Sequence, residues 1–310
     1  MDQHKVLPQK VLILMATFNG ADFLLEQITS ILQQASIDLT LFVSDDSTDD
    51  LISHTIKSMA LANEKIILLP KVKSSGSAAQ NFFRLFRDTN FEGYDFIALS
   101  DQDDIWLPTK LSHAVHYIDA NKADAYSSNV TAFWANGQQK LINKAQPQSR
   151  FDYMFESAGP GCTFVLTQKL ALELQGFLIN HQQQCQHVAL HDWFIYAYAR
   201  SRGFKWVIDD ESHMLYRQHH DNVVGANVGL RALLVRFKIL RAGWLRAQAL
   251  LLSQILGYSD TLPMIKLKRN RLSERVWLMR HVTHLRRRLR DQIALALFLL
   301  ISHKNNNISS

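Results

Sequence analysis

At 310 residues with 47% apolar content, the chain is long enough for about two units with a sizeable core. Its two cysteines, Cys162 and Cys185, offer neither a disulfide framework nor metal-ligand spacing, which favours a reduced, cytoplasmic setting over a secreted scaffold. The formal charge of +6 is concentrated in a basic stretch with few aromatics and no recognisable nucleic-acid module, so binding to DNA or RNA is not expected.

Residues 1–10 are polar and the apolar run after them, Val11-Leu-Ile-Leu-Met15, is only five long, so no secretory signal is expected. That run reads as a strand covered on both faces. Ala16-Thr-Phe-Asn-Gly20 breaks it with turn residues, and Phe23, Leu24, Ile28, Ile31 and Leu32 follow at helical steps. A second strand, Leu39–Val43, ends in Ser44-Asp45-Asp46-Ser47-Thr48-Asp49, where Asp49 is expected to cap a helix from Leu51. Strand, helix, strand with polar carboxyl ends is a βαβ unit, and ligands of such sheets bind outside those ends.

A third apolar run, Tyr94 to Leu99, leads into Ser-Asp-Gln-Asp-Asp-Ile-Trp at 100–106. Crowded carboxylates repel one another unless a cation sits among them. An Asp-x-Asp spacing at a strand end lets two side chains reach one hard divalent ion. The plain alternative is an acidic turn, with Asp104 capping a helix that starts near Pro108. Further along come Gly159-Pro-Gly-Cys-Thr163 before a strand at Phe164 to Leu166, then His191-Asp-Trp193 opening a helical run to Ala199, then Tyr216-Arg-Gln-His-His-Asp-Asn222.

The charge divides sharply. Residues 226–310 hold 16 Lys+Arg against 3 Asp+Glu, a balance of +13, and the other 225 residues hold 18 against 25, a balance of −7. The shift marks a boundary near Asn227 and gives units 1–226 and 227–310. In the second, Leu233, Phe237, Leu240, Trp244, Leu251 and Ile255 share one helical face, with Arg231, Arg236, Lys238 and Arg246 flanking or opposite. Pro263 interrupts, and a second basic segment runs from Lys266 to Arg290. The final apolar run, Ile293 to Ile301, is half the roughly 18 residues that span a bilayer. Basic amphipathic helices of this kind lie on anionic membrane surfaces; packing on the first unit or on a second subunit is the alternative.

Ala-Thr-Phe-Asn-Gly at 16–20, Glu-Gln-Ile at 26–28, Val-Ser-Asp-Asp-Ser-Thr-Asp at 43–49, Ser-Asp-Gln-Asp-Asp-Ile-Trp at 100–106, His-Asp-Trp at 191–193 and Tyr-Arg-Gln-His-His-Asp-Asn at 216–222 occur in this order. Together they resemble the motif set of family-2 glycosyltransferases, especially the bacterial rhamnosyltransferase-like branch, over residues 8–227. One departure stands out: the family has Gly between the Asp pair and Ser-Thr-Asp, whereas Ser47 follows Asp46 directly and shortens that turn.

The resemblance implies an α/β fold of the GT-A nucleotide-sugar transferase type, with a mainly parallel central sheet and, here, a C-terminal helical basic extension. It implies inverting transfer of a sugar, L-rhamnose from dTDP-rhamnose, to a saccharide acceptor in bacterial cell-surface polysaccharide or lipopolysaccharide (O-antigen) synthesis. Lipid-linked acceptors of such systems would suit a cytoplasmic protein held peripherally on the inner face of the membrane. By position in the family's motifs, Asp192 is the catalytic base. Asp103 with His219 holds Mg²⁺ or Mn²⁺. Ala16, Thr17, Phe18, Asp46, Asn81, Asp101 and Arg217 contact the dTDP- or UDP-linked sugar, and Gly161 and Trp193 line the acceptor pocket. Two other classes compete. A nucleotidyltransferase acting on sugar phosphates would need a basic residue in its phosphate loop, which Ala16 to Gly20 lacks. A non-catalytic membrane-associated module has no need to keep Asp46, Asp103 and Asp192 together.

Overall fold

The computed structural model describes residues 8–219 and 243–301; the expectations for Arg231, Leu233, Arg236, Phe237, Lys238 and Leu240 lie outside them. The chain divides into two compact units, one from residues 1–145 and 158–225 and the other from 146–157 and 226–310. The boundary expected near Asn227 lies outside the described residues, and the charge pattern gives no sign that residues 146–157 group with the basic part of the chain.

The first unit is α/β. Strands β1 (Gln9–Thr17), β2 (Ile37–Asp45), β3 (Ile66–Leu68) and β4 (Phe96–Ser100) alternate with helices α1 (Ala21–Leu32), α2 (Leu51–Ala62) and α3 (Ala78–Asp88). After β5 (Ile105–Trp106) come α4 (Lys110–Asn121), β6 (Ala125–Ser128), β7 (Val130–Phe133), β8 (Gln139–Ile142) and β9 (Val165–Thr167). The unit closes with α5 (Gln168–Asn180), α6 (Gln182–Cys185), α7 (His191–Ser201), β10 (Trp206–Asp209) and β11 (Met214–Arg217). Seven strands form one sheet in the order β10-β6-β9-β4-β1-β2-β3, parallel except for the reversed β9.

The unbroken apolar run in β1 follows from its central place. Val11, Ile13 and Met15 pack with Leu24, Ile28 and Ile31 of α1 and Ile52 and Ile56 of α2, while the alternate residues face the α3 side, as the two-residue period of a strand requires. The register sets Thr17 opposite Asp45 and Met15 opposite Ser100, so the carboxyl ends of β1, β2 and β4 finish side by side. A second sheet, β5-β11-β7-β8, runs β11 antiparallel to β5 and so brings Arg217 alongside the acidic segment.

Helix caps divide the expectations. Asp49 accepts from the Leu51 N–H at 3.1 Å, but the N-cap position of α2 is Asp50, one residue on. Asp104 caps nothing: α4 starts at Lys110 behind Thr109, and the two-residue strand β5 separates Asp104 from it.

The second unit contains α8 (Trp244–Leu256), α9 (Leu262–Arg269), α10 (Leu272–Arg280), α11 (Val282–Leu285) and α12 (Leu289–Ile301), with a 3₁₀ turn at Asp152–Met154. The face that α8 buries is Leu245, Ala249, Leu252 and Leu256, not the expected row of Trp244, Leu251 and Ile255. Gly243, left-handed at φ 73°, stands at the N-cap of this helix. Pro263 opens α9 rather than interrupting a longer helix, since its missing N–H is no loss in a first turn. Among the described residues no helix is long and apolar enough to cross a membrane.

Residues 146–157 belong to this unit because buried charges tie them there. Arg287 lies 3.4 Å from Asp152 and 3.6 Å from Glu156, donates its backbone N–H to Glu156 at 2.7 Å and its Nη2 to the Ser157 carbonyl at 2.7 Å. Removing one partner of a buried pair strands the other charge, at a cost of about 3–5 kcal/mol. Arg287→Ala should therefore lower stability to urea by about that amount, whereas Arg290→Ala, whose pair with Asp291 is exposed, should change it by less than about 0.5 kcal/mol.

Candidate active site

At the carboxyl ends of β1, β2 and β4, where a crevice is expected, side chains bond to the strand ends and to one another. Asp45 is buried and accepts from Thr17 Oγ1 (3.1 Å), Ser47 Oγ (2.6 Å), the Ser47 N–H (3.1 Å) and Ser53 Oγ (2.6 Å). Ser47 also accepts from the Asn19 N–H at 2.9 Å, so the shortened turn after Asp46 is tied directly to the end of β1. Asp46 points the other way. Its carboxylate accepts from the Ser75 N–H (2.6 Å), Ser75 Oγ (2.8 Å) and Ser74 Oγ (3.2 Å), using three of the roughly four acceptor positions a carboxylate has.

Asn81 is buried on α3 and its amide is spent on the frame. It donates to the Ser44 carbonyl at 3.0 Å and the Thr17 carbonyl at 3.3 Å, and accepts from Ser44 Oγ at 2.5 Å. Thr17 is buried too, while the Phe18 ring is 53% exposed. The Phe18 backbone is already paired: Gln102 accepts from its N–H at 2.8 Å and donates to its carbonyl at 2.9 Å, as an adjacent strand would. Of the 16–18 segment this leaves Ala16 backbone and the Phe18 ring as the parts not committed to Gln102, Asp46 or Asn81.

The acidic segment after β4 is sorted by depth. Asp104 is fully buried, with Oδ1 accepting from the Arg217 N–H at 3.1 Å. Burial first, then Asp103 and Asp101, raise its carboxyl well above the usual range. Asp101 is pushed up to about 7, first by burial and then by the Asp103 carboxylate; Asp192 adds to the rise and the Cys162 thiol, as hydrogen-bond donor, opposes it. Asp103 meets His219, whose Nε2 stands 2.7 Å from its Oδ2. Arg217 donates to the Asp103 carbonyl at 2.8 Å, pairs with Glu26, and lies between the rings of Phe23 (4.5 Å) and Phe133 (4.6 Å). An oxygen and a nitrogen donor side by side, amid carboxylates whose surplus negative charge already disturbs Asp101, fit a divalent cation.

Asp192 enters from α7. Its Oδ1 accepts from the Trp193 N–H at 2.7 Å, and it is close enough to Asp101 to disturb it. The preceding residue fixes the approach. His191 is stacked on Phe82 at 4.0 Å, pulled down to about 3 by burial, and packed so closely on Gly161 that any Cβ there would overlap its Nε2. Gly161 thus draws the start of α7 against the loop that carries Cys162. Trp193, expected in the acceptor pocket, is buried.

A sequence model of glycosyl transferase family 2 matches residues 12–177, and the dTDP-rhamnosyl transferase RfbG of Shigella flexneri is 39% identical over 289 residues, covering 93% of this chain and 99% of its own. The chain belongs to glycosyl transferase family 2. Solved structures agree on the fold. TarS 1–349 of S. aureus superposes with a TM-score of 0.53 at 14% identity, covering 94% of this chain and 89% of that one. The mannosyltransferase PcManGT from Pyrobaculum calidifontis, in complex with GDP-Man and Mn²⁺, gives 0.51 at 14% identity, covering 94% and 85%.

Three residues of this transferase's crevice carry no signal of their own in sequence. Gln102 sits inside the acidic motif as its apparent spacer, Cys162 is an ordinary buried thiol by composition, and Asp45 is the partner of the residue that drew notice. Gly20 gives Gln102 its room, since a Cβ there would overlap the Gln102 amide. Gly20→Ala should cost roughly 1 kcal/mol in urea unfolding by displacing that amide from Phe18. In a Gln102→Ala background it should cost nothing or stabilise slightly; additive losses would show that the two do not act through each other.

Proposed function

We propose that this transferase moves L-rhamnose from dTDP-rhamnose to a saccharide acceptor of bacterial cell-surface polysaccharide, with inversion at the anomeric carbon. The observation that supports the donor most is the 39% identity to a dTDP-rhamnosyl transferase over almost the whole of both chains. The crevice supports the chemistry. Asp46 has one acceptor position left for the N3–H of a thymine or uracil ring, and the Phe18 side chain just past the end of β1 is exposed. Asn81, with Thr17, acts by positioning β1 and β2, and Asp101 faces the sugar nucleotide.

Asp103 and His219 would hold Mg²⁺ or Mn²⁺, which supplies positive charge to a leaving diphosphate. Asp192 takes the proton of the acceptor hydroxyl as its oxygen bonds to the anomeric carbon and the bond from that carbon to the diphosphate breaks. Arg217 keeps Asp103 and the end of β11 in place, because its guanidinium is engaged by Glu26 and the Asp103 carbonyl. Gly161 brings the acceptor loop and α7 together.

Release of dTDP from dTDP-rhamnose, with and without a saccharide acceptor, tests the reading. Turnover should exceed that of UDP-glucose. Asp192→Asn should lower it by about 10²–10⁴ with dTDP affinity unchanged, as removal of a general base does. Asp103→Ala or EDTA should cut it on the order of a thousandfold. Preference for UDP-glucose would overturn the donor, near wild-type turnover by Asp192→Asn would overturn the base, and full activity in EDTA would overturn the metal.

The second unit carries the other half of the proposal, peripheral attachment to an anionic bilayer. On α12, Leu289, Ile293, Leu297 and Leu300 are 70%, 53%, 47% and 56% exposed and fall on one face at steps of four, four and three. Exposed Arg290 adjoins them, within a stretch whose balance is +13. With about 1 kcal/mol per basic residue near such a surface, the protein should co-sediment with vesicles containing phosphatidylglycerol and release in salt. Ile293→Glu with Leu297→Glu should abolish it, while equal binding to neutral vesicles would exclude the electrostatic contribution.

A further inference from the structure

Away from the crevice, the turn between β10 and β11 faces the first turns of α4 with a group of side chains that glycosyl transfer does not use. His113 stands on α4, and Glu211 and His213 on the turn; one ligand atom from each lies within 4.8 Å of the others. The His113 and His213 rings are stacked at 3.9 Å with 29° between their planes. His213 Nε2 is 3.1 Å from Glu211 Oε2, and its Nδ1 is 3.4 Å from Thr109 Oγ1.

What distinguishes this group from a chance surface cluster is the residue beneath it. Asp209, at the end of β10, is 1% exposed. Its Oδ2 accepts from His113 Nε2 at 2.7 Å and from Tyr126 OH at 2.8 Å, and its Oδ1 accepts from the Glu211 N–H at 3.0 Å. One buried carboxylate thus orients the His113 ring and fixes the turn from which Glu211 projects. A carboxylate behind a histidine, setting its tautomer and leaving the other ring nitrogen to face outward, is the support that metal-ligating histidines have.

We propose that His113, Glu211 and His213 form a binding site for a Zn²⁺-class divalent ion, separate from the Asp103 site. Two imidazoles and one carboxylate, with water completing four ligands, suit Zn²⁺. They do not suit Mg²⁺, which prefers oxygen donors throughout. The mostly exposed Glu211 side chain can swing onto the ion without disturbing the core. Bound there, the ion would fasten the β10–β11 turn to α4. The His213 carbonyl accepts from the Leu107 N–H at 3.0 Å, and β11 runs from this turn to Arg217, so the fastening would also steady the strand that abuts the acidic segment.

Full-length protein, freed of metal by chelation and returned to excess Mg²⁺ so that the Asp103 site is competed for, would be titrated with Co²⁺ and followed by its visible absorption. One equivalent should bind with the intense bands of a four-coordinate site, be displaced by Zn²⁺, and persist in Asp103→Asn. Glu211→Ala, on an exposed side chain, should weaken it by at least tenfold, and Asp209→Asn by roughly ten- to a hundredfold. His113→Ala and His213→Ala should abolish it, with circular dichroism confirming that each variant is folded. If either histidine variant unfolds, Glu211→Ala decides. Absence of the bands in the wild type, undiminished binding by Glu211→Ala, or loss in Asp103→Asn alone would overturn the site and leave a hydrogen-bonded histidine pair.

Discussion

Carboxylates that must stand close together set the terms for this structure. Asp101, Asp103 and Asp104 fall within four positions at the end of a central strand, and Asp192 arrives from α7. The fold meets this crowding by placing each at a different depth. Asp104 is buried, and burial with the neighbouring Asp103 and Asp101 raises its carboxyl against the opposing Cys162 thiol and Arg217 N–H. Lys110 is buried over the Trp106 ring at 3.5 Å and pulled down to about 8 by burial. Asp103 meets the His219 imidazole, and Asp101, whose carboxyl Asp103 and Asp192 help to raise, takes up part of the remaining strain of charge. A site with this distribution attracts cations before any ligand is considered.

The crevice around that charge is built from substitutions of side chains for backbone. Where β1 and β2 run out of ladder partners, Asn81 and Arg84 of α3 bond to Ser44, and Gln102 pairs with Phe18. Buried backbone groups left unpaired would cost free energy on the scale of a lost hydrogen bond each. Polar side chains aimed at strand ends therefore satisfy groups that an apolar core would leave unpaired. The same economy explains why few groups in the first unit's crevice are left to meet a donor: most polar atoms that look like ligands in sequence are holding one another.

Arg217 shows how far role can drift from residue type. A guanidinium near a diphosphate site invites assignment as a phosphate clamp. In the fold it lies between two phenylalanine rings and pairs with Glu26, a residue nearly two hundred positions away in the chain. Sequence places arginine in the motif, and only the antiparallel pairing of β5 with β11 decides that its first partners are protein.

The apolar runs at Val11–Met15 and Tyr94–Leu99, the helical spacing after Gly20 and the polar strand ends are local patterns, and local patterns fix element type and order. The sequence by itself therefore determined the βαβ character, the family through six ordered motifs, the carboxylates that the crevice gathers and the basic second unit. It could not determine partnerships between residues far apart in the chain, because a side chain's partner is set by strand register and helix docking rather than by its neighbours. Asp104 was legible as a cap only until β5 intervened. The row that α8 buries, Leu245, Ala249, Leu252 and Leu256, was set by what the helix packs against. Residues 146–157 joined the second unit because Arg287 neutralises Asp152 and Glu156 out of water, and nothing within that segment names a partner 135 positions on. Tertiary structure decided these, since burial turns a charge that would be indifferent on a surface into one that must find its counterpart.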